Sequence, residues 1–206
     1  MPNFSIEKKI KGFVIGLDEV GRGPLAGPVI SCGCCFKSYD QKNEYFRYIF
    51  DSKKLSSKKL EKSFKYLQTL KKNKIIDYNL GISSVYEIDS LNILEATKLS
   101  MKRAISKFSL NDATIIIDGN FSLAYQKFKE KSIVKGDQLS LSIAAASIIA
   151  KVHRDRLMKI LATNYKEYGW EKNVGYGTKK HIDIIKKIGP TIHHRKSFEP
   201  IKSILS

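Results

Sequence analysis

The chain has 206 residues, enough for one sizeable core, and 42% of them are hydrophobic, within the range of soluble globular proteins. No apolar run reaches the roughly 20 residues that span a bilayer, and the opening MPNFSIEKKIKG lacks the apolar middle of a secretory signal, so the expectation is a cytoplasmic protein with no membrane partner. Its 37 Lys and Arg against 20 Asp and Glu leave a net charge of +17, a field that favours polyanions such as nucleic acid, although a composition heavy in Lys, Ile and Asn, as AT-rich coding produces, accounts for part of it.

Phe13 to Leu17 and Val29 to Phe36 read as strands, and the Gly and Pro between them suit an antiparallel pair with a looped connection. The second run holds all three cysteines, Cys32, Cys34 and Cys35; an odd count with no distant partner pair points to buried thiols rather than a disulfide framework or a zinc site. Ser56 or Ser57 caps a helix running to about Lys71, with Leu60, Phe64, Leu67 and Leu70 as its apolar stripe. IIDYNLGIS reads as a strand. A helix from about Ser90, capped by Asp89, carries Leu94, Met101, Ile105 and Phe108 at helical spacing. ATIIID is a strand ending on Asp118, and KSIVKGD a shorter one ending on Asp137. QLSLSIAAASIIAKVHRDRLMKIL is a long helix whose small residues, Ala144 to Ser147, allow close packing on a sheet. Lys179 to Lys187 forms another helix, stopped by Gly189 and Pro190, and a short helix follows Pro200. The mixture predicts an α/β protein, a central sheet with helices packed on it. No repeat or linker divides the chain, so residues 1–206 are expected to form one domain; the weakest candidate boundary lies near Asn164.

VIGLDE, TIIID and IVKGD share a design, an apolar run that stops on a carboxylate. A carboxylate at the end of a buried strand is costly unless it is paired, hydrogen-bonded or bound to a cation. Singly, each has an ordinary explanation: Asp137 as a helix N-cap, Asp118 as a turn aspartate before Gly119 and Asn120. Together, Asp18, Glu19, Asp118 and Asp137 can converge at one edge of a sheet, where ligand sites of open α/β sheets lie. Such a cluster repels itself without a cation and becomes a site for Mg²⁺ or Mn²⁺ with one. Asp18 and Glu19 are neighbours, and neighbours on a regular strand face opposite ways, so both reach one cluster only if the strand ends or bends there; Gly21 and Gly23 allow for that. Paired ions of this kind support in-line attack on a phosphodiester.

GLDEVGRGPLAGPV, DSKKLS, EIDSLNIL, IDGN, KGDQLSLSIAAASIIAKVHRD, GYGTKKH and HHRKSF resemble, in order, the signature blocks of bacterial ribonuclease HII, from about residue 12 to residue 200. The resemblance implies an RNase H-like fold: a mixed five-stranded central sheet flanked by helices, with a helical C-terminal portion from about residue 165 that contacts substrate. It implies cleavage of the RNA strand of RNA–DNA hybrids and of ribonucleotide-containing duplex DNA, cutting 5′ of a single embedded ribonucleotide and leaving 3′-hydroxyl and 5′-phosphate ends. It implies Asp18, Glu19 and Asp118 as metal ligands, with Asp137 completing the catalytic acids. It sets Gly21, Arg22 and Gly23 against the minor groove at the RNA–DNA junction, where glycines let a backbone approach closely and polar groups can reach the 2′-hydroxyl that separates RNA from DNA. Tyr176 matches the tyrosine that packs on the deoxyribose after the junction.

Each of these residues also has a plainer reading. The Gly-Arg-Gly segment alone is an ordinary tight turn, and Tyr176 a loop aromatic. Lys53 and Lys54, candidate phosphate contacts, equally suit a solvated loop. Ser147 and Lys151 lie one helical turn apart near the start of the long helix; Lys151 can neutralise a carboxylate, touch phosphate or simply face solvent. His193, His194 and Arg195 are expected to be structural or to face phosphate, not to act as general bases. The protein is expected to be monomeric, without an obligate protein partner; no sliding-clamp peptide is recognised in IKSILS. The rival class is a non-catalytic basic nucleic-acid-binding protein, but four carboxylates beside an anionic ligand would only repel it. A phosphotransferase or DNA nuclease would keep the acids and have no use for the Gly-Arg-Gly and tyrosine pair.

Overall fold

The computed structural model describes residues 1–39, 48–49 and 55–206. Strands β1 (Phe13–Val20) and β2 (Val29–Phe36) pair antiparallel, as the looped connection predicts, and β2 pairs antiparallel with β3 (Ile76–Ser83). On its other side β1 pairs parallel with β4 (Ala113–Asp118), and β4 parallel with β5 (Lys129–Ile133). The result is a mixed five-stranded sheet in the order β3-β2-β1-β4-β5.

Helix α1 (Ser57–Lys72) starts as expected, with Ser56 as its N-cap, and buries Leu60, Phe64, Leu67 and Leu70. The next helical segment differs from expectation. In place of one helix capped by Asp89 there are two, α2 (Val85–Leu91) and α3 (Ile93–Ile105). Ser84 and Glu87 form a reciprocal capping box that starts α2 about five residues early. Asn92, at φ +73°, then breaks the path and caps α3 by accepting from the amides of Leu94 and Glu95. Asp89 sits on α2, and its carboxylate accepts from the amides of Lys196 and Ser197, both at 3.0 Å.

A second difference concerns Asp137. Strand β5 stops at Ile133, and Asp137 lies in the first turn of α4 (Gly136–Leu139), entered through Lys135 at φ +56°. It is neither a strand end nor an N-cap. The long helix α5 (Leu141–Asn164) follows, then α6 (Trp170–Asn173), α7 (Lys179–Ile188), which ends at Gly189, and α8 (Ile201–Leu205).

Strand alternation sorts β1 and β4 onto two faces. Ile15, Leu17, Ile115 and Ile117 pack with Met101, Ala104 and Ile105 of α3. Val14 and Ile116 pack with Ile143 of α5. Gly16 lies on that second face, and a Cβ there would fall 2.3 Å from the Ser142 carbonyl carbon, so the missing side chain lets α5 lie directly on β1. Residues Leu141 to Ala150 of α5 are buried without a break, in a core shared with Cys32 and Cys34 of β2. The three thiols are free and buried, and burial pushes that of Cys35 up to about 11. A third cluster joins Met158 and Ala162, late in α5, to Leu25, Ala26, Trp170, Ile185 and Ile201. The residues after α5 therefore pack back on the loop that follows β1. Among the described residues, no helix is long and apolar enough to cross a membrane.

Candidate active site

Strands β1 and β4 run parallel with Leu17 beside Ile117. One residue further, Asp18 and Asp118 come side by side on the face that α5 covers. The turn from β5 into α4 adds Asp137. One carboxylate oxygen from each of Asp18, Asp118 and Asp137 lies within 4.8 Å of the others, and Asp18 is only 3% exposed and Asp137 2%.

Neighbouring groups fix these carboxylates. Asp18 Oδ1 accepts from the Glu19 amide at 2.7 Å, and the Ser147 side chain on α5 hydrogen-bonds to Asp18. Asp118 Oδ1 accepts from the Gly136 amide at 2.7 Å, which ties the end of β4 to the residue before Asp137. The α4–α5 junction is held in turn by the buried Glu7 near the N-terminus. Its Oε1 accepts from Ser140 Oγ at 2.6 Å and from the Ser142 amide at 3.0 Å, and Ser140 is the N-cap of α5.

Burial, first, and the charges of Glu19 and Asp118, next, push the Asp18 carboxyl well above the usual carboxylate range; the bonds from Ser147 and the Glu19 amide pull the other way without prevailing. An oxygen-only donor set this crowded and this dry fits a hard divalent cation.

Glu19 stands apart from the three. The ladder continues through Glu19 opposite Ser31 and Val20 opposite Ile30, a register in which regular alternation sets neighbours on opposite faces. Its Oε1 meets Arg22 Nη1 at 3.4 Å. Its charge still raises the Asp18 carboxyl, so Glu19 borders the acidic group.

Three residues past Asp18, the chain leaves the sheet through Gly21, Arg22 and Gly23. Gly21 has φ +94°, and a Cβ on it would fall 2.2 Å from Arg154 Nε; its glycine is required from inside. At Gly23 an added Cβ would meet only Tyr176 Cε1, at 3.7 Å, so that glycine presents open backbone. Tyr176 is 45% exposed. The structure thus joins the Gly-Arg-Gly segment and Tyr176 in one surface patch beside the acids.

The family model described as Ribonuclease HII matches residues 15–200. The Ribonuclease HII of Wolbachia sp. subsp. Brugia malayi (strain TRS) is 49% identical over 200 residues, covering 97% of this chain and 94% of that protein. The chain belongs to the ribonuclease HII family. The Ribonuclease HII of Ehrlichia canis (strain Jake) is 46% identical over 211 residues, 99% of this chain and 97% of that one. Among solved structures, the ribonuclease H2 of Pyrococcus horikoshii OT3 superimposes with a TM-score of 0.69 at 29% identity, over 94% of this chain and 97% of that chain. The RNase HII of Archaeoglobus fulgidus, solved in a complex with PCNA, gives 0.74 at 21% identity over 91% and 96%. The RNase H-like fold is therefore shown, and the protein is an endoribonuclease, a hydrolase.

With the family in hand, the other expected site residues can be located. Ser147 is 5% exposed and bonded to Asp18, a place from which it holds an acid. Lys151 pairs with Asp155 at 2.8 Å. Lys53 and Lys54 lie outside the described residues. His194 is buried, its Nε2 3.1 Å from His181 Nε2; burial and the neighbouring histidines push its pKa down to about 3, which suits a structural neutral ring and not a base.

Sequence reasoning missed Glu7, Arg154 and the true surroundings of Arg195. All three side chains are fully buried. A signal existed for Arg154: it follows Ala150 and precedes Met158 at four-residue steps, on a helix face otherwise apolar. A charged residue on such a face has a specific partner or function.

Proposed function

We propose that this endoribonuclease cuts the RNA strand of RNA–DNA hybrids and also cuts on the 5′ side of single ribonucleotides embedded in duplex DNA, leaving 3′-hydroxyl and 5′-phosphate ends. The observation that carries the reading is the adjacency of an acidic triad, two of its three carboxylates buried and one oxygen of each within 4.8 Å of the others, to an open glycine and a half-exposed tyrosine. Asp18, Asp118 and Asp137, with Glu19 at their border, would hold Mg²⁺ or Mn²⁺, which supplies positive charge against the phosphate and a more acidic water for attack.

The chain's own residues do the rest. Ser147 and the amides of Glu19 and Gly136 keep the carboxylates aimed before substrate arrives. The open backbone at Gly23 lets the minor groove come close, and the Arg22 and Gly23 amides, which bond to no acceptor among the described residues, suit a 2′-hydroxyl. The Tyr176 ring offers a face to the next sugar. The net charge of +17 draws the duplex in, with Lys53, Lys54 and Lys151 as candidate phosphate contacts. A purely binding protein gains nothing from the acids, since they repel phosphate.

The test is a labelled DNA duplex holding one ribonucleotide, incubated with Mg²⁺, Mn²⁺ or a chelator. The expected result is a single nick 5′ of the ribonucleotide with either metal, none with chelator, and none on the all-deoxy duplex; Asp118→Asn abolishes the nick. Equal cutting of the all-deoxy duplex, or nicking that survives chelation, contradicts the reading.

A further inference from the structure

The two buried arginines near the Gly-Arg-Gly segment have an unusual set of partners. Their seven hydrogen bonds all go to backbone carbonyls, and among the described residues neither forms an ion pair with a carboxylate. Arg195 donates from Nη2 to Gly21 O, from Nη1 to Arg22 O at 2.8 Å, and from Nε and Nη2 to Gly27 O. Arg154 donates to Pro28 O at 3.0 Å, to Ala26 O at 2.9 Å and to Val174 O at 2.9 Å. Val174 lies two residues before Tyr176, so Arg154 ties the loop after β1 to the segment that bears the tyrosine. The Gly175 carbonyl strengthens that tie by accepting from the amides of Leu25 and Ala26.

The direction of these bonds matters. Across a trans peptide the C=O of one residue and the N–H of the next point opposite ways, and among the described residues the one cis peptide joins Glu199 to Pro200. Because Arg195 draws the carbonyls of Gly21 and Arg22 inward, the N–H groups of Arg22 and Gly23 must point outward. Neither of those amides has an acceptor among the described residues.

We propose that Arg195 is a positioning residue for ribonucleotide recognition: by holding the Gly21 and Arg22 carbonyls inward it aims the Arg22 and Gly23 amides at the 2′-hydroxyl, while Arg154 locks that loop to the Tyr176 segment. This rests on the recognition role given above to the Gly-Arg-Gly segment. The fork is essential to it, since a lysine ammonium cannot hold three separate carbonyls in one plane.

The experiment compares wild type with Arg195→Lys and with Arg195→Ala supplemented by millimolar guanidinium. Steady-state kcat and KM are measured in Mg²⁺ on a duplex with one ribonucleotide, together with Kd for the all-deoxy duplex. The expected result for the lysine variant is a KM raised about tenfold or more, kcat much less affected and the all-deoxy Kd unchanged; guanidinium, and not ammonium, restores the KM of the alanine variant. A folded Arg195→Lys with the wild-type KM overturns the proposal, because a merely structural arginine would change the melting temperature alone. Should the variants not fold, NMR of the wild type decides. The Arg22 and Gly23 amides shift when the ribonucleotide duplex is added and not with the all-deoxy duplex; amides indifferent to the 2′-hydroxyl overturn it. If the wild type itself fails to nick the ribonucleotide duplex, the proposed function is what fails.

Discussion

Gly21 and Gly23 are two letters apart and alike in sequence, yet the fold uses them for opposite reasons. The first makes room for Arg154, and the second leaves open backbone beside Tyr176. Nothing in the letters separates them, because the distinction depends on a guanidinium that arrives from more than a hundred residues away. Tyr176, in contrast, was assignable through the block around it, and the structure sets its ring against Gly23. If that ring packs on a sugar, Tyr176→Ala should lower kcat/KM on a single embedded ribonucleotide by about tenfold or more, the range for loss of an aromatic stack. The loss on a long RNA–DNA hybrid should be smaller, since many registers there remain productive. Equal losses on the two substrates in parallel kinetic assays would contradict the junction role.

Among the secondary-structure elements, the strands and the amphipathic helix α1 were legible because alternation and helical spacing report burial directly. The break at Asn92 was not, because an apolar stripe continues across it and only a left-handed residue interrupts the helix. The Ser84–Glu87 capping box was visible as a motif and would have placed the start of α2 correctly. The site was legible as acids at strand ends for Asp18 and Asp118, but Asp137 reaches the cluster through the first turn of α4. That turn depends on Ser140, which caps α5 and binds the buried Glu7. Ser140→Ala should therefore cost about 1–3 kcal/mol of stability in urea melts, the sum of a lost cap and a lost bond to a charged group, and should reduce cleavage by loosening Asp137. Wild-type stability in that variant would remove the Glu7–Ser140 pair from the support of the site.

The molecule as a whole carries +17 and yet gathers three carboxylates, two of them buried, in one place. The surface charge attracts a polyanion, and the clustered acids repel it until cations intervene. This opposition makes stability depend on metal and pH together. Because the folded-state Asp18 carboxyl is raised well above its unfolded value of about 3.9, its contribution favours folding at low pH and is lost as pH rises from that unfolded value through the raised folded one. The most direct measurement is a set of melting curves for wild type and Asp18→Asn from pH 5 to pH 8, with chelator and with Mg²⁺ or Mn²⁺. In chelator at pH 8 the variant should melt above wild type, with the gap narrowing towards pH 5. Either metal should raise the wild-type melting temperature and leave the variant nearly unmoved. A wild type indifferent to both ions, or a metal-free variant that melts below it at pH 8, would contradict the claim that these carboxylates are gathered to hold divalent cations.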